Sequence, residues 1–218
     1  MTLPPPRDYP WPEPERSGLL TRSGFLEGDE PAELDGRTPV AAVGSNASPT
    51  ILRHKLGPLL DTGLPIDLAE IDGLSVGHSA HVSARGYVAA APICTSAHAD
   101  GSEPRAVTLA WFDPDQLAAL DATEPNYRRV PLPGRMPCRR GGVILTGVEV
   151  YASVHGVLGE AGAALAFLDQ RGVLAWLADR LPGHLADGLD HEALTSADRR
   201  EQVRAALIAA DLVVPSGF

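Results

Sequence analysis

The chain has few cysteines, no cluster of basic residues and no long apolar run, and each absence removes a class of function. Cys94 and Cys138 are the two cysteines in 218 residues. They are too few for a disulfide framework or a cysteine-rich zinc site, and they read as reduced thiols in or near a core. Lys and Arg total 18 against 28 Asp and Glu, a net charge of -10. A nucleic-acid surface needs clustered cations to displace condensed counterions, and no such cluster is present. The longest apolar runs, such as AGAALAFL from 161, fall far short of the ~20 residues that span a bilayer. The opening MTLPPPRDYPWPEPERSG carries no apolar segment behind a basic one. It does not read as a secretory signal, so a cytoplasmic protein without nucleic-acid or membrane partners is expected.

What is present is an ordinary globular composition, 44% hydrophobic, interrupted by 22 glycines and 20 prolines. So many turn formers predict short elements with irregular edges. The length fits one domain, or one domain with appendages. Residues 1–37 are rich in proline and acids and lack periodicity, and they read as a proline-rich N-terminal arm, extended or partly disordered. Trp11, Leu19, Leu20 and Phe25 are its candidate docking residues. The body spans 38–158. Val40 to Val43 predict a short buried strand, Gly44-Ser45-Asn46 a turn, and Ser48 with Pro49 the start of a helix through SPTILRHKLGPLL. The runs PIDLAEI from 65, LSVGHSAHVSA from 74, GYVAAAPI from 86 and RAVTLAWF from 105 predict antiparallel strands in a curled sheet. DPDQLAALDAT from 113 predicts a short helix capped by Asp113, and YRRVPL and GVILTGVEVYASV each predict a strand. The fold class is therefore α+β. In 159–218, RGVLAWLADRL and TSADRREQVRAALIAADLV show helical spacing, with Ser196 or Thr195 as a cap, so this stretch reads as a C-terminal helical extension.

Seven histidines raise the question of a metal. His78 and His81 are three apart in an alternating run, which sends them to opposite faces of a strand, and His184 and His191 have no third ligand at a recognised spacing. No metal site is expected. Gly156, Gly159 and Gly162 follow a strand, but their spacing is not that of a dinucleotide fingerprint, and a turn leading into a lax helix is expected instead. Ser45 lies in a strand-to-helix turn without the Gly-x-Ser-x-Gly frame of a nucleophile elbow. The same turn exposes successive N–H groups of Gly44, Ser45 and Asn46, which suit a carboxylate or carbonyl oxygen. Glu124 stands at the end of a helix, where the dipole disfavours an anion by roughly 0.3–1 kcal/mol. Two readings follow. Glu124 forms a solvated pair with Arg128 or Arg129, or partial burial beside Tyr127 equips it to accept and return a proton near neutral pH.

Two segments together resemble a known family. VAAVGSNASP at 40–49 looks like the Gly-Ser-Asn loop after the first strand of the γ-glutamylcyclotransferase-like family, which includes the γ-glutamylamine cyclotransferases. LDATEPNYRRV at 120–130 is similar to that family's Leu-Asp-x-x-Glu segment with its following Tyr, Arg and Val. The resemblance covers roughly 39–158, and the arm and the tail lie outside it. It implies a small antiparallel β-barrel flanked by short helices. It also implies Glu124 as general acid/base, with Val43, Gly44, Ser45 and Asn46 binding a small-molecule γ-glutamyl substrate. Tyr127, as a substrate contact, and Arg129, with an equal claim to a structural place, are second-tier, with Tyr87 behind them. The implied reaction forms 5-oxoproline and a free amine by ring closure, the work of a transferase or lyase that needs neither metal nor cofactor. The chain departs from the family pattern at Val43, where a tyrosine is usual, at Ala47 for leucine and at Pro125 for glycine. A binding or protein-interaction module on the same fold, without turnover, is the alternative. A homodimer is compatible with the helical tail.

Overall fold

The computed structural model describes residues 3–28, 33–95 and 103–218; positions 1–2 and 29–32 of the expected arm lie outside the described residues. The arm contributes strands β1 (Gly18–Leu20) and β2 (Phe25–Glu27), and the body begins with β3 (Thr38–Ala42) and helix α1 (Pro49–Leu56). Strands β4 (Leu64–Ile71), β5 (Leu74–Val82), β6 (Val88–Cys94) and β7 (Arg105–Phe112) follow, then helix α2 (Pro114–Ala122) and β8 (Tyr127–Pro131). Next come β9 (Cys138–Arg140), β10 (Val143–Leu145), β11 (Glu149–Ser153), β12 (Val157–Glu160) and β13 (Ala163–Ala164). The tail holds α3 (Gln170–Ala178), α4 (Gly183–Ala186), α5 (Ala197–Ala209) and β14 (Val213–Val214).

The class is α+β, as its sequence pattern predicts. One sheet runs β10-β9-β4-β7-β3-β11-β8, with β1 on the N-terminal half of β4 and β2 beyond it. A second runs β13-β12-β5-β6, with β14 also on β12. Pairing is antiparallel except between β3 and β11, which run parallel. Among the described residues no hydrogen-bonded path closes these strands into a ring, so the architecture is two sheets rather than a closed barrel.

Three local expectations are corrected. GVILTGVEVYASV is two strands, because Gly147 takes a positive φ of 70° between β10 and β11. The stretch after Gly156 enters β12 rather than a helix; Gly156, at φ 74°, makes the turn that brings β12 back onto Ser79. The arm is more ordered than its composition suggests. Tyr9, Trp11 and Leu20 are at most 2% exposed, and β1 extends the main sheet through β4.

The helices are placed by their apolar faces. Leu52 and Leu56 of α1 and Leu117 and Leu120 of α2 meet Ile66, Ala110 and Phe112 from the sheet in one core cluster. Each large side chain buried there contributes about 1.5–3 kcal/mol. In the tail, Val173, Leu177, Val203 and Leu207 pack on Ala80, Val82, Val88 and Leu158 of the second sheet.

Gln116 ties α2 to this core. Its amide donates to the carbonyls of Leu59 and Gly63 at 2.9 and 3.0 Å, and its carbonyl accepts from the N–H of Asp113 in a capping box. The residue is fully buried. Gln116→Ala leaves the buried Gly63 carbonyl and the part-buried Leu59 carbonyl without this donor and removes the reciprocal half of the capping box, the Asp113 cap itself remaining, each orphaned buried group costing about 1–3 kcal/mol. Denaturant unfolding should show a loss of about 2–4 kcal/mol, and a loss below about 0.5 kcal/mol would contradict this accounting.

His78 joins the tail to β5. Its Nε2 accepts the N–H of Leu168 at 2.9 Å and its ring stacks on Phe167 with centroids 4.6 Å apart. Burial lowers its pKa to about 4, and that of His81 to about 3. The unfolded chain takes up protons near pH 6.5 that the folded chain refuses. Stability from these groups is therefore complete above about pH 6.5 and falls as the pH drops toward 4, by about 1.4 kcal/mol per pH unit per histidine. Unfolding midpoints should decline between about pH 7 and about 4.5. His78→Gln, which keeps an acceptor but no titrating group, should flatten the slope; an unchanged slope would contradict the assignment.

Candidate active site

A cavity of about 300 Å³ lies where the two sheets, α1, the end of α2 and the arm meet. Val43 to Asn46, Lys55, Tyr87, Glu124, Tyr127 and Tyr151 all border it. The two segments singled out in the sequence, 78 positions apart at Asn46 and Glu124, thus converge.

The loop 43–46 leaves β3 and tightens into a 3-10 turn, Ser45–Ala47, before Pro49 opens α1. Among the described residues, the N–H groups of Gly44, Ser45 and Asn46 make no hydrogen bond. These residues border the cavity just ahead of the positive end of α1. Glu124 follows the last turn of α2, held by its N–H to the Asp121 carbonyl and by the Tyr127 N–H to its own carbonyl. Its carboxylate accepts the Asn46 amide at 3.0 Å and the Lys55 ammonium at 2.5 Å. Lys55 also donates to Asn46 Oδ1 at 2.7 Å, closing a triangle. The Lys55 and Glu124 side chains are 15% and 10% exposed. The expected partners, Arg128 and Arg129, are elsewhere: Arg129 pairs with Asp121 and Glu149, and Arg128 reaches the Phe218 carbonyl. Glu124 is therefore neither a solvated surface acid nor an isolated carboxylate among apolar groups.

Lys55 is the residue that sequence reasoning missed. The signal was available: all the other 17 basic residues of the chain are arginines, and Lys55 is its one lysine. An arginine is a planar fork, whereas an ammonium is a compact charge on a flexible stem. Side chains on a helix lean toward its N-terminus, which lets Lys55, in the last turn of α1, reach back to Asn46 ahead of the first.

Tyrosines form much of the remaining wall. Tyr127 donates to the Ala90 carbonyl at 2.9 Å, so its hydroxyl is engaged by the wall rather than offered to the cavity. The Tyr9 hydroxyl accepts the Ala90 N–H at 2.8 Å, and the ring stacks on Tyr87. Burial, first of all, raises the pKa of each of these three phenols. Tyr9 brings a phenol to the loop from the arm: a Cβ built on Gly44 would lie 2.5 Å from its oxygen. A side chain on Gly44 would therefore have to displace the Tyr9 hydroxyl. Tyr9 was not foreseen, because its burial depends on a chain segment without periodicity. Tyr87, just ahead of β6, borders the cavity, while Arg129 serves the Asp121–Glu149 network.

No group of three or more His, Cys, Asp or Glu side chains suited to a metal ion occurs among the described residues. No helix there is long and apolar enough to cross a membrane. No family model matches the sequence, and comparison with curated proteins and with solved structures likewise gives no match.

The triangle has a measurable coupling. Removing one member of a mostly buried ion pair leaves an uncompensated charge. Partial solvent access at the cavity reduces the full penalty, so Lys55→Met should cost about 1–3 kcal/mol. A double-mutant cycle of Lys55→Met with Glu124→Gln, read by denaturant unfolding, should show a coupling of about 1 kcal/mol or more. Additive effects would contradict the pair.

Proposed function

We propose that the chain is a γ-glutamylcyclotransferase-like enzyme that converts a γ-glutamyl amide or amine to 5-oxoproline and a free amine. The observation that carries the reading is the meeting of Glu124 with the loop 43–46 on one cavity, the Asn46 amide donating to the carboxylate. The resemblance of the two motifs adds the reaction class, and the two sheets are taken as the halves of the small barrel that it implies.

Glu124 takes a proton from the substrate's α-ammonium group. The freed amine attacks the γ-carbonyl carbon and the five-membered ring closes; the bond to the leaving nitrogen breaks as that nitrogen receives the proton from Glu124, and Glu124 then takes the second proton from the ring nitrogen and passes it to the amine, which departs as an ammonium. No water enters. In such a ring closure positioning supplies much of the rate, effective molarities reaching ~10⁵–10⁸ M. A placed general base adds about 10²–10⁴-fold. The N–H groups of Gly44, Ser45 and Asn46 receive the negative charge that develops on the carbonyl oxygen. Lys55 has a double part. It balances Glu124, and when the substrate's own ammonium takes its place, it turns to the substrate's α-carboxylate.

The test is release of 5-oxoproline from a panel of γ-glutamyl amides, amines and dipeptides. Wild type should turn over at least one, and Glu124→Gln should lose about 10²-fold or more in kcat while remaining folded. No product from any of them, or equal rates from both proteins, would overturn the proposal. Gly44→Ala, which pushes on the Tyr9 hydroxyl and crowds the loop, should lower kcat/KM about tenfold or more; an unchanged value would remove the loop from the chemistry.

A further inference from the structure

His81 borders the same cavity and has no part in the mechanism above. It lies near the end of β5 and is 7% exposed, its ring edge-on to Tyr127 with centroids 5.7 Å apart. Its Nδ1 is 2.5 Å from Ser79 Oγ, which is 2.7 Å from Ser153 Oγ. Ser153 Oγ also accepts the main-chain N–H of His155 at 3.1 Å. This chain has a direction. Ser153 can give its hydrogen only to Ser79 among the described residues, and Ser79 then gives its own to His81 Nδ1, 2.5 Å away, rather than to the Tyr127 hydroxyl, with which it also interacts. With Nδ1 an acceptor, the ring hydrogen sits on Nε2. The opposite direction would leave the buried Ser153 hydroxyl hydrogen without an acceptor.

The second imidazole nearby is settled in the same way. His155 Nδ1 faces the Arg204 guanidinium, which only donates, so its ring hydrogen lies on Nε2, against Asn126 Oδ1 at 2.9 Å. His81 Nε2 has no protein partner among the described residues. It is not sealed off either, since the sealed side-chain atoms without a partner are His78 Nδ1 and Arg199 Nε. An unpartnered N–H at the wall of a cavity is a donor waiting for a ligand.

We propose that His81 presents this neutral Nε2–H to the cavity and there holds a carbonyl or carboxylate oxygen of the substrate. The inference rests on the cyclotransferase reading for the identity of that substrate, though not for the state of the imidazole. Ser153 and Ser79 are positioning residues that fix its tautomer.

Two measurements test it. In ¹⁵N-histidine-labelled protein, two-bond ¹H–¹⁵N correlation should show the His81 signals, assigned by their loss in His81→Gln, as the neutral Nε2–H form. Ser79→Ala should change that pattern. In the 5-oxoproline assay, His81→Leu should lose about 10–100-fold in kcat/KM, the worth of one hydrogen bond to a charged or developing-charge oxygen. His81→Gln, which can place an amide N–H near the same point, should stay within a few-fold of wild type. An imidazolium, an Nδ1–H form, a fully active His81→Leu, or a His81→Gln as poor as His81→Leu would overturn the inference. A wrong tautomer with turnover intact removes this inference alone. Absence of product from the wild type is the separate signature that the underlying reading has failed, and it takes the substrate contact with it.

Discussion

The ion pair between Lys55 and Glu124 is the interaction on which the cavity depends. A carboxylate at the negative end of α2 is unfavourable where it stands. It persists because two sources of positive potential meet it, the Lys55 ammonium and the Asn46 amide. The arrangement needs α1 and α2 side by side, and their shared apolar core of Leu52, Leu56, Leu117 and Leu120 provides it. Packing sets the geometry, and the electrostatics then make an awkward acid tolerable.

The same logic extends to the walls. The arm is held by Tyr9 and Trp11, whose rings pack with Tyr87 into one aromatic cluster. Tyr9 and Tyr127 clasp the two sides of the Ala90 peptide, one accepting its N–H and the other donating to its carbonyl. A segment that composition assigns to a loose leader thus closes the cavity. On the other side, β12 and β14 bring the tail against β5, so Ala80 and Val82 lie under helices while His81, which alternates with them, borders the cavity. Ser153, Ser79 and His81 are paired in a chain there, and at the cavity one donor of that chain is left over.

Much of this was legible in the sequence where local signals are strong. Asp113 with Pro114 marks the start of α2, Ser196 caps α5, and the alternating runs from 65, 74, 86 and 105 are strands. The Gly-Ser-Asn turn and Glu124 were legible as candidates because each breaks a local expectation: an exposed run of N–H groups, and an acid at the wrong helix end. What escaped has a common cause. Lys55, Tyr9 and the division into two sheets are long-range facts. Lys55 meets Glu124 across 69 positions and Tyr9 meets Ala90 across 81, and no periodicity within a window of a dozen residues encodes either. Gly147 is the smaller case, a single positive-φ residue that splits one apparent strand into two.

The chain's single lysine makes the central pair directly observable. Lysine-selective ¹⁵N labelling gives one side-chain resonance, that of Lys55 Nζ. It should differ from free lysine in the wild type, move toward the free value in Glu124→Gln, and shift when a γ-glutamyl compound is added. A resonance at the free-lysine position, indifferent to both, would mean that Lys55 and Glu124 do not meet in solution.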